Sequence, residues 1–475
     1  HDALPICDML RFLWWTDESC NKAEEFRMTV HLFGGTWSPS CASYALRRVA
    51  QDQQTAGNEA ACNAIRRSFY VDDLLKSVKT EEEAMALACQ LTRMLDQAGF
   101  SLNKWLSNSR AVLSSIAPER RLNLEKNISD KADMLPLERT LGLYWNVEED
   151  VFQFKIEKPN KPLTRRGILS ATSSIFDPCG YLAPFVLNAK LLIQELSRFK
   201  LGWDEHVSQE QAAQWKGWED DLGLLTKFAI SRCLKPRSMI SIKFCQLIHF
   251  SDASQRAYGA ASYARFIDCN DKVHCMLLTA KSHLAPLKGQ TIPRLELMAA
   301  VTAVKQDSLL IAELDIKVNE SVFFTDSEIV LHYISNEEKR HCVFVANRIS
   351  TIRSGSTAAQ WHHVPSAHNP ADELSRGLSA RKILEDKRWL RGPEFLWSHE
   401  EFANMTANNA TTAREVELEA VSFATSTAAK KKEVATSVIE ALFARYSSWT
   451  RLRKAVAWLH KFTQYLHQRH VMKMQ

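Results

Sequence analysis

Four acidic side chains carry the chemistry that this sequence most strongly suggests. Asp252 and Asp326 each follow an apolar run rich in strand-forming residues, Glu296 heads an alanine-rich helical pattern, and Asp372 follows a Pro-Ala pair. A carboxylate where a buried strand becomes a turn is held rigidly, yet it still reaches solvent or a metal. Any one of these acids alone is better explained as a cap or turn residue. Together they are the hard oxygen ligands that two-ion cleavage of a phosphodiester requires.

The elements that must position these acids alternate in a definite order. Strand patterns precede Asp252 and Asp326, and helical patterns begin near Pro293 and after Asp326. Two further strand patterns, at 257–264 and around 275–282, follow Asp252. Another strand pattern at 360–364 leads to Asp372. The predicted order is therefore strand-strand-strand-helix-strand-helix-strand-helix, with one acid on each of four elements.

This order resembles ribonuclease H, and the stretches Gln290–Glu296 and Val364–Asp372 resemble its retroelement forms. The resemblance implies a ribonuclease H-like, mixed five-stranded sheet with helices over residues 241–380. It implies that four acids bind metal and are catalytic: Asp252, Glu296, Asp326 and Asp372. The expected reaction is hydrolysis of the RNA strand of RNA–DNA hybrids with two Mg²⁺ per site, or with Mn²⁺ in their place.

A second acidic motif, Tyr70-Val71-Asp72-Asp73, lies between apolar flanks and is typical of a tight hairpin. Adjacent carboxylates repel each other unless a cation neutralises them. On spacing alone a solvated turn explains the pair better. Preceded by the Gly34–Pro39 stretch, however, the motif resembles the palm of a reverse transcriptase. That resemblance implies that Asp72 and Asp73 bind metal and are catalytic, that Gly34 lines the template–nucleotide side, and that Lys104 lies near the incoming triphosphate.

The palm has a gap when compared with that family. Reverse transcriptases carry a further metal-binding aspartate upstream of a segment like Leu10–Trp15, which here lies almost at the N-terminus. Two-metal phosphoryl transfer needs ligands that bridge both ions. We therefore expect an incomplete polymerase palm in this chain, completed only by upstream sequence.

The stretch Phe176-Asp177-Pro178-Cys179-Gly180 resembles the thumb and connection of BEL/Pao retrotransposons. The predicted domains are a C-terminal part of the palm at 1–150, a helical thumb/connection at 151–240 and the nuclease at 241–380. An anchor segment and linker at 381–432 and a basic helical pre-integrase tail at 433–475 follow. The predicted fold class is α/β and α+β multidomain.

Composition agrees with a globular protein that binds nucleic acid locally. The 475 residues are 45% apolar and 24% charged, and the net charge is +5. From residue 430 onward ten Lys/Arg face two Glu, a net +8, while the other 50 basic and 53 acidic residues give −3. Eleven cysteines without a C-x-x-C pair favour a reducing, intracellular location. The resemblance to retrotransposon Pol proteins implies a cytoplasmic particle, the nucleus or both. No apolar run is long enough to span a membrane.

The chain is thus interpreted as a Pol fragment that resembles those of BEL/Pao retrotransposons and acts in reverse transcription. Expected partners are RNA–DNA hybrid, RNA template and DNA primer, together with the upstream palm and fingers and the downstream integrase of the polyprotein. Two alternatives stay open from the sequence. One is an RNA-directed DNA polymerase when the chain is joined to upstream sequence, and the other is a non-enzymatic, nucleic-acid-binding remnant.

Overall fold

A computed structural model describes residues 10–15, 23–29, 34–122, 137–140, 143–154, 156, 160–236, 238–239, 241–336 and 341–407. All of them belong to one compact unit, His1–Val416. The predicted basic tail at 433–475, and the end of the predicted linker from 408 onward, lie outside the described residues. Among the described helices, none combines the length and apolarity needed to cross a bilayer.

The N-terminal part is a helical layer with two small hairpins. Its elements are β1 (Arg11–Trp15), β2 (Ala23–Arg27), α1 (Ser38–Asp52), α2 (Glu59–Arg67), β3 (Phe69–Tyr70), β4 (Asp73–Leu74), α3 (Glu81–Gln97) and α4 (Arg110–Ser114). β1 pairs with β2 and β3 with β4, both antiparallel. The helices α1, α2 and α3 bury one core, to which Leu46, Ile65 and Leu91 contribute. The two-residue hairpin β3–β4 therefore extends from a helical base.

A small sheet and three helices follow. They are β5 (Leu137–Thr140), β6 (Leu143–Asn146), β7 (Val151–Gln153), α5 (Arg165–Ser173), α6 (Ala183–Arg198), α7 (Gln209–Asp221) and β8 (Ala229–Ser231). The strands form one antiparallel sheet in the order β5-β6-β7-β8. Asn146 pairs with Val151, so the predicted division between 150 and 151 falls inside a hairpin. The segment predicted to be helical thumb and connection thus contains two strands besides its helices.

The turn of that hairpin is fixed by a partly buried ion pair. Asp150 has a φ of 55°, in the left-handed region, and it is only 8% exposed. Its carboxylate accepts hydrogen bonds from Arg232 Nε at 2.5 Å and Nη2 at 2.9 Å, and also from Trp145 Nε1 and Asn108 Nδ2. Residues on both sides of the predicted division therefore depend on one carboxylate.

The predicted mixed five-stranded sheet is confirmed. Its elements are β9 (Ile242–Ala253), β10 (Ala257–Asp268), β11 (Val273–Leu284), α8 (Ile292–Glu313), β12 (Glu320–Thr325), α9 (Glu328–Ser335), α10 (Val343–Gly355), β13 (Trp361–His363) and α11 (Asp372–Arg376). The strand order is β11-β10-β9-β12-β13, antiparallel among the first three and parallel from β9 to β13. The helix α8 begins at Ile292 with Thr291 as its N-cap, and Pro293 stands in its first turn as the sequence predicts.

One side of this sheet is covered by its own helices. Phe323 and Trp361, with ring centroids 4.8 Å apart, pack with apolar residues of α8, α9 and α10, including Leu297 and Ile349. The same layer buries a polar network, in which His249 contacts Asp307 at 3.0 Å. Since buried polar groups are costly unless they are bonded, this network accounts for polar residues inside an apolar layer.

A second core is shared with the rest of the chain. It joins Phe250 and Phe324 of the sheet to Phe185 of α6 and to two aromatic residues further on, Trp389 and Phe395. The last elements are α12 (Ala380–Glu385), α13 (Lys387–Arg391), a 3₁₀ turn at Glu394–Trp397 and α14 (His399–Ala407). The five-stranded sheet is therefore enclosed by segments that precede and follow it.

Gly180, in the Phe-Asp-Pro-Cys-Gly turn, packs closely against the sheet. Its φ is 78°, and a Cβ built there would lie 1.8 Å from the carbonyl oxygen of Ala280 in β11. The amide of Ala280 in turn donates to the carbonyl of Cys179 at 2.8 Å. Asp177 holds the turn by accepting from the amides of Tyr181 and Leu182 at 3.0 and 2.7 Å. This turn covers the edge strand β11 at a distance that only glycine permits.

Candidate active site

Asp252 and Asp326 lie at corresponding positions on neighbouring parallel strands. β9 and β12 are parallel, and Ser251 is the register partner of Thr325. Asp252 directly follows Ser251, and Asp326 directly follows Thr325. Both aspartates therefore stand at the same edge of the sheet, where the parallel strands β9 and β12 end. Asp252 is buried, with 6% of its surface exposed. The two apolar runs thus place these carboxylates side by side because they pair in register.

Glu296 reaches the same edge from the first turns of α8. Ser327 Oγ donates to Glu296 Oε2 at 2.5 Å. Ser327 is also the N-cap of α9, and its Oγ accepts a hydrogen bond from the backbone amide of Val330. Ser327 is the neighbour of Asp326 in the chain. A single hydroxyl therefore connects the start of α9 to the carboxylate that α8 supplies.

Asp372 is the first residue of α11, and the same short helix bonds to Asp252. The hydroxyl of Ser375 donates to Asp252 Oδ2, while Arg376 Nε pairs with Asp372 Oδ1 at 2.5 Å. Ser254 Oγ donates to the carbonyl of Ser375 at 2.8 Å, which ties α11 to the end of β9. One turn of helix thereby supplies the fourth acid and a partner for the first.

Asp326 is held by the loop that leads into α11. Ser366 Oγ donates to its Oδ2 at 2.5 Å, and Asn369 Nδ2 lies 3.4 Å from its Oδ1. Asn369 is fully buried, and its amide also donates to the carbonyl of Ser251 at 3.1 Å. This asparagine connects the ends of β9 and β12 to the loop before Asp372.

The carboxylates influence each other's ionisation. Burial, and then the charges of Asp326 and Asp372, raise the pKa of Asp252 to about 7, although the hydrogen bond from Ser375 lowers it. Burial raises the pKa of Glu296 too, and the charge of Asp326 acts in the same direction. Repulsion of this kind between acids from four different elements requires a counter-charge when all are ionised.

A divalent ion suits this donor set. The four acids offer hard oxygen atoms, which Mg²⁺ and Mn²⁺ prefer, and a cation removes the repulsion that raises the pKa of Asp252. In the described residues, no three His, Cys, Asp or Glu side chains converge on one point as they stand. Serine hydroxyls and Arg376 instead bond these carboxylates, so an ion at this place would have to replace some of these hydrogen bonds.

The residues predicted to belong to a polymerase palm are arranged differently. Asp72 and Asp73 are exposed at the tip of β3–β4, whose turn residue Val71 has a φ of 57°. Gly34 and Lys104 are also exposed and have φ values of 87° and 57°. Neither aspartate carboxylate forms a hydrogen bond or an ion pair with another described residue. Their metal-binding role and those of Gly34 and Lys104 stay predictions.

The residues that bond the carboxylates of the four acids were not predicted from the sequence. Ser375 and Arg376 stand three and four residues after Asp372, and Ser327 directly follows Asp326. A small hydroxyl next to a strand-end acid is the signal that was available, since Ser is favoured at helix N-caps. Asn369 gave no such signal, because its contact with Ser251 spans 118 residues.

A family model matches the connection and the first part of the five-stranded sheet. Residues 164–327 match the model described as Pao retrotransposon-like RNaseH-like domain. The match begins at the N-cap of α5, includes the Phe-Asp-Pro-Cys-Gly turn and ends just after Asp326. The predicted resemblance to a Pao-type retrotransposon Pol fragment is thereby confirmed, and the nuclease part has an RNase H-like fold. No curated protein matches the chain.

Solved structures that resemble the chain include ribonucleases H and a reverse transcriptase. RNase H1 from Halobacterium salinarum is 16% identical, with a TM-score of 0.20, over 30% of this chain and 98% of its own. LC11-RNase H1 in complex with an RNA/DNA hybrid is 16% identical, with a TM-score of 0.20, over 27% and 92%. The foamy viral protease-reverse transcriptase in complex with dsDNA is 14% identical, with a TM-score of 0.18, over 72% and 62%.

Proposed function

We propose that this Pao-type retrotransposon Pol fragment hydrolyses the RNA strand of RNA–DNA hybrids in a reaction that depends on divalent metal ions. One observation carries the proposal: four carboxylates from four elements meet at one edge of the sheet. There, burial and then the charges of Asp326 and Asp372 raise the pKa of Asp252. A purely structural role does not explain why acids that repel each other lie together at this edge of the sheet. Apolar or neutral side chains in their place would make the folded protein more stable.

Asp252, Glu296, Asp326 and Asp372 would hold the ions, two Mg²⁺ or Mn²⁺ per site. When bound, such a pair activates a water molecule and stabilises the leaving 3′ oxygen of the scissile phosphate. The chain's own contribution is to hold the carboxylates in place. Ser375, Ser327 and Ser366 each orient one of them through a hydroxyl, as the outer contacts of a metal site do.

Arg376 limits the negative charge at this edge. It pairs with Asp372, and the charges of Asp252 and Asp326 also favour its protonated form, so the pKa of its guanidinium is raised. About two thirds of its side chain is exposed. A cation at this position favours the approach of a phosphate towards an otherwise acidic edge.

The family model, which describes an RNaseH-like domain, supports an RNA–DNA hybrid as the proposed substrate. We infer recognition of the hybrid through 2′-hydroxyl and backbone contacts, which distinguish RNA from DNA without reading base sequence. LC11-RNase H1 was solved with an RNA/DNA hybrid, which makes this the first substrate to test. RNA template, DNA primer and the remaining Pol segments are proposed as the wider partners.

The test is cleavage of a labelled RNA–DNA hybrid in Mg²⁺ by the wild type and Asp326→Asn. The substitution keeps the side-chain shape but removes a charged metal ligand, so we expect a rate loss of about 100-fold or more. Asp271→Asn is the matched control, because Asp271 is an exposed aspartate paired with Lys243. Equal rates for the wild type and Asp326→Asn would refute the assignment, as would equal cleavage of a DNA duplex.

A further inference from the structure

The loop that carries Asp372 is held from two sides. On its inner side, Ser366 and Asn369 bond Asp326. The C-terminal end of α11 is fixed by Ser282 Oγ, which donates to the carbonyl of Leu374 at 2.6 Å. These contacts all come from the five-stranded sheet or its own loops. Among the described residues of the sheet, none forms a hydrogen bond or an ion pair with the carbonyl of Ala367 or the side chain of Glu373, on the outer side of the loop.

Arg388 supplies that outer contact from α13, a helix beyond the five-stranded fold. Its Nη1 donates to the carbonyl of Ala367 at 2.7 Å, and its Nη2 pairs with Glu373 Oε1. Ala367 precedes Asp372 in the loop, and Glu373 follows it directly. One guanidinium therefore bridges the two ends of the segment that positions the fourth acid.

The partner of Arg388 is well placed for a strong contact. Glu373 is 7% exposed and directly follows Asp372 in α11. A planar guanidinium can donate in two directions at once, whereas a lysine ammonium acts as a point charge. Removal of the arginine would leave a buried carboxylate without its ion-pair partner and free the carbonyl of Ala367.

The helix that bears Arg388 is itself rigidly anchored. Its neighbour Trp389 is fully buried, and Trp389 Nε1 donates to the carbonyl of Tyr181 at 2.8 Å. Tyr263 of β10 donates its hydroxyl to the carbonyl of Trp389 at 2.9 Å. These bonds fix α13 to the Phe-Asp-Pro-Cys-Gly turn region and to the sheet. The backbone next to Arg388 is consequently fixed by buried contacts.

The residues after α13 add a second contact to the same loop. Arg265 Nε donates to the carbonyl of Leu396 at 2.6 Å, which fixes the 3₁₀ turn Glu394–Trp397 to β10. Within that turn, the ring of Phe395 meets the ring of His368 edge to face at 6.2 Å. His368 stands between Ala367 and the buried Asn369. The anchor segment therefore contacts the loop at two neighbouring residues, Ala367 and His368.

From this geometry we infer that Arg388 is a positioning residue for the nuclease: it acts through Ala367 and Glu373 to hold Asp372 in place for metal binding. The anchor segment is then a working part of the active site. This inference rests on the proposed nuclease function. It predicts that the effect of Arg388 falls on metal binding and turnover, not on the affinity for the hybrid.

The experiment compares the full-length wild type, Arg388→Met, Arg388→Lys and Arg391→Met. Arg388→Met keeps the length of the side chain but removes both polar contacts. We expect the Mg²⁺ concentration for half-maximal cleavage to rise about 10-fold or more, in line with losses at the outer contacts of metal sites. The KM for the hybrid should change less than about 2-fold, since Arg388 does not act by binding nucleic acid. Arg388→Lys keeps the charge next to Glu373 and should give an intermediate value.

Arg391→Met is the matched control on the same helix. Arg391 stacks over the ring of Trp397 at 4.2 Å and is exposed, so its loss should leave the Mg²⁺ requirement unchanged. Identical half-saturation for the wild type and Arg388→Met would overturn the inference, as would an equal shift in Arg391→Met. Should Arg388→Met fail to fold, wild-type half-saturation in the folded Arg388→Lys variant would overturn it.

Direct titration of Mn²⁺ into the protein separates this inference from the proposed function. If the wild type never cleaves hybrid, the nuclease proposal fails. A weaker Mn²⁺ affinity in Arg388→Met would still support the positioning role at this carboxylate site, and an unchanged affinity would overturn it. If the wild type cleaves and all four proteins respond equally to Mg²⁺, only the inference on Arg388 fails.

Discussion

Ser375 donates a hydrogen bond from its hydroxyl to Asp252, a residue 123 positions earlier in the chain. The bond joins the short helix that begins with Asp372 to the strand that ends near Asp252. It is one of the factors that lower the pKa of Asp252 against the effect of burial. The short helix that begins with Asp372 is therefore linked to Asp252 through one hydroxyl.

The metal-free protein should lose stability as the pH rises from about 4 to about 7. The pKa of Asp252 is about 7 in the folded state and near 4 in an unfolded chain. In this range the unfolded chain releases the proton that the folded protein retains. The free energy of unfolding therefore falls as pH rises, and it levels off above about 7.

Substitution Asp252→Asn removes this contribution. In EDTA at pH 7.5 the variant should be more stable than the wild type by a few kcal/mol at most, using about 1.4 kcal/mol per pKa unit as an upper bound. At pH 4 the advantage should vanish. Urea unfolding at both pH values measures it, with Asp271→Asn expected to follow the wild type. A larger advantage at pH 4 than at pH 7.5 would reverse the predicted sign.

Ser375→Ala should make cleavage more sensitive to acid. Loss of the hydroxyl removes a bond that lowers the pKa of Asp252, so its carboxylate stays protonated to a higher pH. Protons then compete better with the metal, and the acidic limb of the pH–rate profile should move upwards by roughly 0.5–1 unit. Ser308→Ala is the control, because Ser308 Oγ bonds the carbonyl of Val304 within its own helix. Superimposable profiles for Ser375→Ala and the wild type would contradict the prediction.

Gly180→Ala should destabilise the protein by about 3 kcal/mol or more. The new Cβ would meet the carbonyl oxygen of Ala280 at 1.8 Å, and the backbone φ of 78° disfavours any other residue. Gly217→Ala is the matched control: Gly217 lies inside α7, and an added Cβ there meets nothing within 4 Å. That change should be neutral or stabilising by up to about 1 kcal/mol. Thermal unfolding of both variants measures the contrast, and equal midpoints would refute the proposed docking of the turn on β11.

Asp150→Asn should cost about 2–4 kcal/mol, because it leaves Arg232 without its charged partner in a mostly buried position. Asp204→Asn is the control with the same bidentate geometry. Arg166 bonds Asp204 at 2.7 and 3.0 Å, but both side chains are largely exposed, so stability should not change measurably. Guanidinium unfolding of the two variants tests the difference. Similar losses of unfolding free energy in both variants would show that burial does not determine how much the Asp150–Arg232 pair stabilises the protein.

The five-stranded sheet could be predicted because its strands are long and distinctive. Twelve-residue strands such as Ile242–Ala253 show a clear apolar pattern, and the four acids stand where those patterns end. The small sheet β5–β8 could not be predicted in this way. Its strands contain three or four residues, which is too short for a period of two to be recognised.

The contacts that hold the site were also beyond sequence reasoning. Trp389 lies in the segment predicted as an anchor, but nothing in the sequence indicates that its ring nitrogen bonds the carbonyl of Tyr181, 208 residues earlier. Arg388 and Glu373 are 15 residues apart, with no helical spacing to relate them. Pairings of this kind depend on the tertiary fold, whereas periodicity and capping report only on neighbours in the chain.

The shared core of Phe185, Phe250 and Phe395 limits how this protein can be divided. Residues from Leu143 to Phe402 contribute to that one apolar cluster. A protease that cut in the loop before β9 would therefore not release an independent nuclease, because the separated piece would expose the aromatic face that α6 covers. We expect the five-stranded sheet to fold only together with the connection before it and the anchor segment after it.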